Sequence, residues 1–261
     1  SDSIIYRRIV EVGQKHIEGA IVRFPGLEST ITDVYVRLSR LDSTMMTAVV
    51  RPTRPFVELR GKRSWHATAG EYIGLGFHHI LLGVDHLLFV LGLLLIVQGR
   101  MILLKTITSF TVAHSITLAI ATLGFASVPL PPLNAAVALS IFFLGPEIVR
   151  SWRGETSLAI SYPWIVAFAF GLLHGFGFAS GLSTTGMPRA ELPWALLFFN
   201  VGVEMGQLVF VFLALALARS FKILEIRWPR WALVIPGYTV GSLGAYWTLQ
   251  RTAILIGGLL K

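Results

Sequence analysis

Five of the seven histidines in this 261-residue chain lie in stretches that are otherwise apolar: His78, His79, His86, His114 and His174. Asp85, Glu147 and Glu204 lie in the same part of the chain. A lone ionisable group in hydrocarbon is costly, and the cost falls when several converge on a cation or on one another. Imidazole with carboxylate suits nickel, cobalt, zinc, iron(II) or manganese, and the donor set alone does not choose among them. There are no cysteines, so disulfides, thiolate metal sites and cysteine nucleophiles are excluded. The expected chemistry is the binding of a divalent transition metal (Ni, Co or Zn).

The densest stretch runs from Gly76 to Val90 and contains His78, His79, Asp85 and His86. Read as one helix, residues seven apart differ by about 20° around the axis. His78 and Asp85 then share one face, and His79 and His86 share another.

Such a helix belongs in a membrane. The chain is 54% hydrophobic and only 14% charged, whereas soluble domains carry about 25% charged residues. From Ser64 onward the sequence is a series of long apolar runs, with six expected spans at about 70–98, 104–125, 131–150, 158–181, 191–218 and 231–250. Pro163 and Pro193 fall near span starts, where a missing amide hydrogen costs little, while Pro236 lies inside the sixth span and predicts a kink. The spans otherwise read as unbroken, and the tail from Ala253 to Leu260 is too short to cross by itself. Residues 1–63 differ: β-branched runs at Ile4–Val12, Gly19–Phe24, Ile31–Leu38 and Thr44–Val50 are separated by the turn signals Pro25-Gly26 and Leu41-Asp42-Ser43. They contain no apolar segment of signal-peptide type. The expected fold is therefore a mainly α membrane protein, residues 64–261 forming a six-helix transmembrane bundle. A small external β-rich, sandwich-like domain, residues 1–63, precedes it.

Basic residues set the expected orientation. With the N-terminal domain outside, Arg100, Lys105, Arg150, Arg153, Arg219, Lys222, Arg227 and Arg230 are cytoplasmic, and only Arg189, Arg251 and Lys261 are external. Both termini are then on the external, periplasmic side. The formal charge of +8 is spread over helix ends and the N-terminal domain, without the aromatic-interleaved basic tract of a single-strand binder. No nucleic-acid partner is expected; the partners are membrane lipid, the metal ion and, through the external domain, a protein.

A near-repeat places the remaining polar groups in depth. Ser161-Tyr162-Pro163-Trp164 opens span four and Glu191-Leu192-Pro193-Trp194 opens span five; eleven residues after each proline stand His174 and Glu204. Eleven residues make about 16 Å of helix, roughly half the hydrocarbon thickness. Asp85, His86 and His114 reach a similar depth in their own spans. The candidate ligands are therefore Asp85, His86, His114, His174 and Glu204. His78 and His79 lie one to two turns further out, as an entrance. Asn200 and Gln207 flank Glu204 on one stripe and are expected to support the ligands. Glu147, near a span end, either supports the site or pairs with Arg150.

Four blocks of this sequence closely resemble the HupE/UreJ family of bacterial membrane proteins. They are His79-Ile80-Leu81-Leu82-Gly83-Val84-Asp85-His86-Leu87-Leu88-Phe89, Ser109-Phe110-Thr111-Val112-Ala113-His114-Ser115-Ile116-Thr117-Leu118, His174-Gly175-Phe176-Gly177-Phe178-Ala179 and Phe199-Asn200-Val201-Gly202-Val203-Glu204-Met205-Gly206-Gln207-Leu208. The resemblance covers about residues 70–250. It implies a bacterial inner-membrane protein of a family described as nickel or cobalt permeases linked to hydrogenase and urease systems, often with an external β-rich domain. Carried over, it makes His79, Asp85, His86 and His174 metal-handling residues, so it joins His79 to the site that depth alone leaves it outside. At Leu144-Gly145-Pro146-Glu147-Ile148-Val149 the sequence departs from the family's Ala-Glu-Asn-like pattern, keeping only the glutamate.

Three functions fit these residues. In a metal permease, the cation enters past His78 and His79, binds at the deeper ligands and leaves toward the cytoplasm. In an intramembrane zinc-type hydrolase or lipid-modifying enzyme, imidazoles hold the metal while Glu204 or Asp85 activates its water. In an accessory or assembly subunit, the metal is structural. The permease is the leading expectation and the enzyme the runner-up.

Overall fold

Gly83 divides the first apolar run into two helices, α1 (Trp65–Leu82) and α2 (Val84–Ile96). The computed structural model describes residues 20–29, 34–39, 45–50, 52–53, 55–59, 65–177, 192–223 and 229–259. The axes of α1 and α2 differ by 72°. The unbroken first span expected from sequence is thus a bent pair. The backbone at the break stays satisfied: the Gly83 amide donates to His79 O at 3.0 Å, and Gly83 O accepts from the Leu87 amide at 3.0 Å. That satisfaction is what an apolar surrounding demands of non-helical backbone.

The remaining helices are α3 (Arg100–Thr122), α4 (Leu130–Trp152), the short α5 (Leu158–Ser161), α6 (Pro163–Phe176), α7 (Leu192–Ile223) and α8 (Arg230–Leu259). The ends of α3 and α4 follow from local sequence. Gly124 and Gly154 take positive φ, and the next residue's amide, of Phe125 or Glu155, reaches back to Ile120 O or Arg150 O. This closes the last turn in the Schellman manner. Pro163 starts α6 at the position where a missing amide hydrogen is harmless. Helix α8 runs through Pro236 and on to Leu259, so the tail beyond residue 250 continues the last helix.

Among the described residues, α3, α4 and α7 are long and apolar enough to cross a membrane, and the bent α1–α2 pair makes a fourth crossing if counted as one. Helix α6 is apolar but has only 14 residues. Helix α8 has the length, but Thr239, Ser242, Thr248, Gln250 and Arg251 dilute its hydropathy. The chain is thus a mainly helical, multi-pass membrane protein.

Helix α2 touches α3, α4, α6, α7 and α8, which makes it the central element of the bundle. Its buried Leu88, Phe89, Leu93 and Ile96 pack with Phe110, Ile141, Leu144, Ile148, Ala167 and Val240. Around it, α3 pairs most extensively with α6, and α4 with α8. Helix α1 meets α7 backbone to backbone. A Cβ on Gly202 would overlap Ile73 O, and one on Gly76 would overlap Phe199 O. Small residues permit such approach where lipid offers no hydrophobic drive to associate.

The N-terminal unit, residues 1–67, is separate from the unit spanning 68–261. It contains two antiparallel ribbons: β1 (Ala20–Arg23) with β4 (Phe56–Leu59), and β2 (Val34–Ser39) with β3 (Met45–Val50). Leu27, Val50 and Val57 are their shared apolar core, joined by Val22, Phe24, Val34 and Val36. Among the described residues the two ribbons are separate two-stranded sheets. The expected strand Ile4–Val12, the turn Leu41-Asp42-Ser43 and the end of span four beyond Gly177 lie outside the described residues.

Candidate metal centre

The bend at Gly83 brings His79 and His86 together. On a straight helix, residues seven apart are separated by about 10 Å along the axis. Here His79 lies in the last turn of α1 and His86 in the first turn of α2, and their ring centroids are 4.9 Å apart. A side chain on Gly83 would place its Cβ 2.7 Å from His86 Nδ1, so the close approach needs glycine.

His114, on α3, completes the group, 6.1 Å in ring centroid from both. One nitrogen from each of His79, His86 and His114 lies within 4.8 Å of the other two. Imidazole–metal bonds of about 2.0–2.1 Å put tetrahedral ligand nitrogens roughly 3.3 Å apart, so small ring movements close the triad onto an ion.

Hydrogen bonds set which nitrogens are available. Asn200 Nδ2 donates to Leu196 O at 2.8 Å, which turns Asn200 Oδ1 toward His114 Nδ1 at 3.2 Å. His114 therefore donates from Nδ1, and Nε2 keeps its lone pair, buried and with no hydrogen-bond partner. An oriented imidazole of this kind is what metal ligation uses. In His86 both ring nitrogens are buried and unbonded. A buried polar atom left unsatisfied costs about 1–3 kcal/mol, and an ion would remove that cost.

His174, on α6, stands beside His86 with ring centroids 4.9 Å apart. Ser140 Oγ donates to Val137 O at 2.6 Å and meets His174 Nε2 at 3.0 Å. With its proton on Val137 O, the hydroxyl accepts from His174 Nε2–H. His174 Nδ1 is then a lone pair, also buried and unbonded. Thr117 and the backbone of His114 lie so close to Gly175 that a Cβ there would overlap both, which seats α6 against α3.

The carboxylates take other positions. Asp85, in the first turn of α2, accepts two bonds from Arg251 Nη2, at 3.1 Å to Oδ1 and 2.9 Å to Oδ2. With His79, His86 and His174 it lines a cavity of about 140 Å³, completed by Asn134, Val137 and Gly177. Glu204 Oε1 accepts from Thr108 Oγ1 at 2.7 Å, and Oε2 is buried without a hydrogen-bond partner. Thr108 lies six residues before His114 on α3, about 9 Å of helix. Gln207 Oε1 accepts from Thr111 Oγ1 at 2.8 Å. The stripe Asn200, Glu204, Gln207 on α7 thus faces His114, Thr108 and Thr111 on α3.

His78 is exposed and bonds Gly74 O of its own helix at 2.7 Å through Nδ1. His79 is the member of the pair that faces the cluster. Glu147 bonds Arg150 Nη1 at 2.7 Å and accepts from Ser157 Oγ, which also caps α5 by accepting from the Ile160 amide. It ties the end of α4 to α5. Arg251 and Ser140 were not singled out from sequence. Arg251 looked like a loop residue because the sixth span was ended at residue 250, yet helical residues continue past it. Ser140 is a lone hydroxyl in an apolar span and carries no signal by itself.

A helical membrane protein with four imidazoles gathered about a broken helix is the class that this fold and site define. The chain belongs to the HupE/UreJ family, whose model, described as HupE / UreJ protein, matches residues 57–251. No curated protein and no solved structure matches it.

Proposed function

We propose that the protein is a permease for a divalent transition metal of the nickel or cobalt type, with His79, His86 and His114 as the binding station and His174 beside it. The observation that carries this reading is the convergence of three imidazole nitrogens within 4.8 Å at a bend between two half-helices. Broken helices are the means by which many transporters present an ion site at mid-depth. The ion is cargo, and imidazole suits nickel, cobalt and zinc alike.

The polar stripe between α3 and α7 favours transport over hydrolysis. It continues from His114 and Asn200 through Thr111 and Gln207 to Thr108 and Glu204, giving an ion somewhere to go. A hydrolase would need a free carboxylate beside its metal-bound water. Asp85 is engaged by Arg251, and Glu204, with Oε2 unbonded, is bonded at Thr108, about 9 Å of helix from His114.

The proposed setting is a bacterial inner membrane, with both termini periplasmic, six crossings and an external domain at residues 1–63. The test is uptake of nickel and cobalt by cells expressing wild type, His86→Ala and Glu204→Gln. Uptake lost in His86→Ala and reduced in Glu204→Gln is the expected result. Uptake by wild type no greater than by cells lacking the protein would refute the permease reading.

A further inference from the structure

Asp85 stands one residue before His86 and lines the same cavity as His79 and His174. It is the carboxylate best placed to neutralise a cation held by the imidazoles, yet a cation already holds it. Arg251 Nη2 bonds both carboxylate oxygens, Nη1 donates to Asn134 O on α4 at 3.1 Å, and the guanidinium lies 5.5 Å from the Trp247 ring. A guanidinium is permanently charged and reaches Asp85 on a flexible stem from α8.

We propose that Arg251 is a tethered counter-cation that occupies Asp85 until a divalent metal ion enters the cavity, and then exchanges with it. This rests on the reading of the imidazole cluster as a cation site. A bare carboxylate here would be costly, so Asp85 needs a positive partner at every stage. The two side chains are only partly buried, 23% and 26% exposed, and such a pair contributes little net stability because lost hydration and side-chain entropy offset its attraction, so the pair is exchangeable. A guanidinium on Asp85 and a divalent ion in the cavity of about 140 Å³ that Asp85 lines compete for one carboxylate and repel each other, so metal and guanidinium exclude each other there. Arg251 leaves as the metal gains Asp85, and it returns when the metal departs. The return displaces the ion from the carboxylate and keeps the site from becoming a trap.

The test is titration of cobalt(II) alone into the purified full chain in detergent, for wild type, Arg251→Gln, Arg251→Lys and the double variant Asp85→Asn/Arg251→Gln. Coupling between two sites is typically 5- to 150-fold, so Arg251→Gln should bind cobalt about tenfold more tightly than wild type. Arg251→Lys, which keeps the charge but loses the two-bond grip, should gain a few-fold. The double variant should lose the gain of Arg251→Gln, because the released carboxylate is gone. Wild type that binds cobalt, with Arg251→Gln equal to it or weaker, overturns the exchange while leaving the metal site standing. Cobalt bound by none of the four proteins removes the metal site, and the exchange with it. If Arg251→Gln fails to fold, Arg251→Lys decides: binding equal to or weaker than wild type overturns the proposal.

Discussion

The rings of His79 and His86 lie 4.9 Å apart because Gly83, between them, breaks the helix and turns the chain by 72°. The bend, more than the seven-residue spacing, makes the pair.

Gly83 is therefore expected to be intolerant of any side chain. In Gly83→Ala the new Cβ sits 2.7 Å from His86 Nδ1 and 2.8 Å from His79 O. Overpacking costs typically 1–3 kcal/mol, so cobalt affinity should fall by about tenfold or more if the ring is displaced. Cobalt titration checks this; unchanged affinity would mean that the His79–His86 approach is not needed.

Asn200 fixes the His114 tautomer without belonging to the triad. Asn200→Leu removes the acceptor for Nδ1–H, and loss of such an orienting partner lowers metal affinity by about 10- to 100-fold. The fold should persist, as read by thermal melting in detergent, with a melting temperature lowered only by the roughly 1–3 kcal/mol of the orphaned His114 Nδ1–H.

Glu147 should behave in the opposite way. It is 4% exposed and bonds Arg150 and Ser157. Glu147→Ala removes the acceptor for both groups; the Arg150 side chain is 52% exposed and stays solvated, so the loss is mainly that of the Ser157 bond and its packing, about 1–3 kcal/mol. A lowered melting temperature with cobalt affinity unchanged separates this residue from the metal centre. A large loss of affinity in a protein that melts normally would place it in the site.

Gly202→Val probes the scaffold. A Cβ at Gly202 overlaps Ile73 O, a backbone atom that no rotamer change can move aside. Helix α1 must then separate from α7 and carry His79 away from His114. Melting temperature and cobalt affinity should fall together.

The cluster's membership was readable in the residues, because imidazoles in apolar runs have few other uses. His86, His114 and His174 could be grouped by counting residues from span starts, and the family blocks added His79. Counting assumes straight helices, however. It put His79 too far out and could not reveal the break, since the apolar pattern continues on both sides of Gly83. It also set Glu204 level with His174. The structure bonds Glu204 to Thr108, about two turns of α3 from His114. Arg251 and Asp85 are 166 residues apart in sequence. Nothing local to either residue announces that pairing, which comes from where α8 packs against α2 and α4.

The most direct measurement is the metal content and X-ray absorption spectrum of the purified full chain, prepared with nickel or cobalt, beside His86→Ala. The expected result is about one ion per wild-type chain, in a nitrogen and oxygen shell at roughly 2.0–2.1 Å with imidazole scattering, and little or none in His86→Ala. Wild type without metal, or metal bound equally well by His86→Ala, would contradict a metal centre built on the bend.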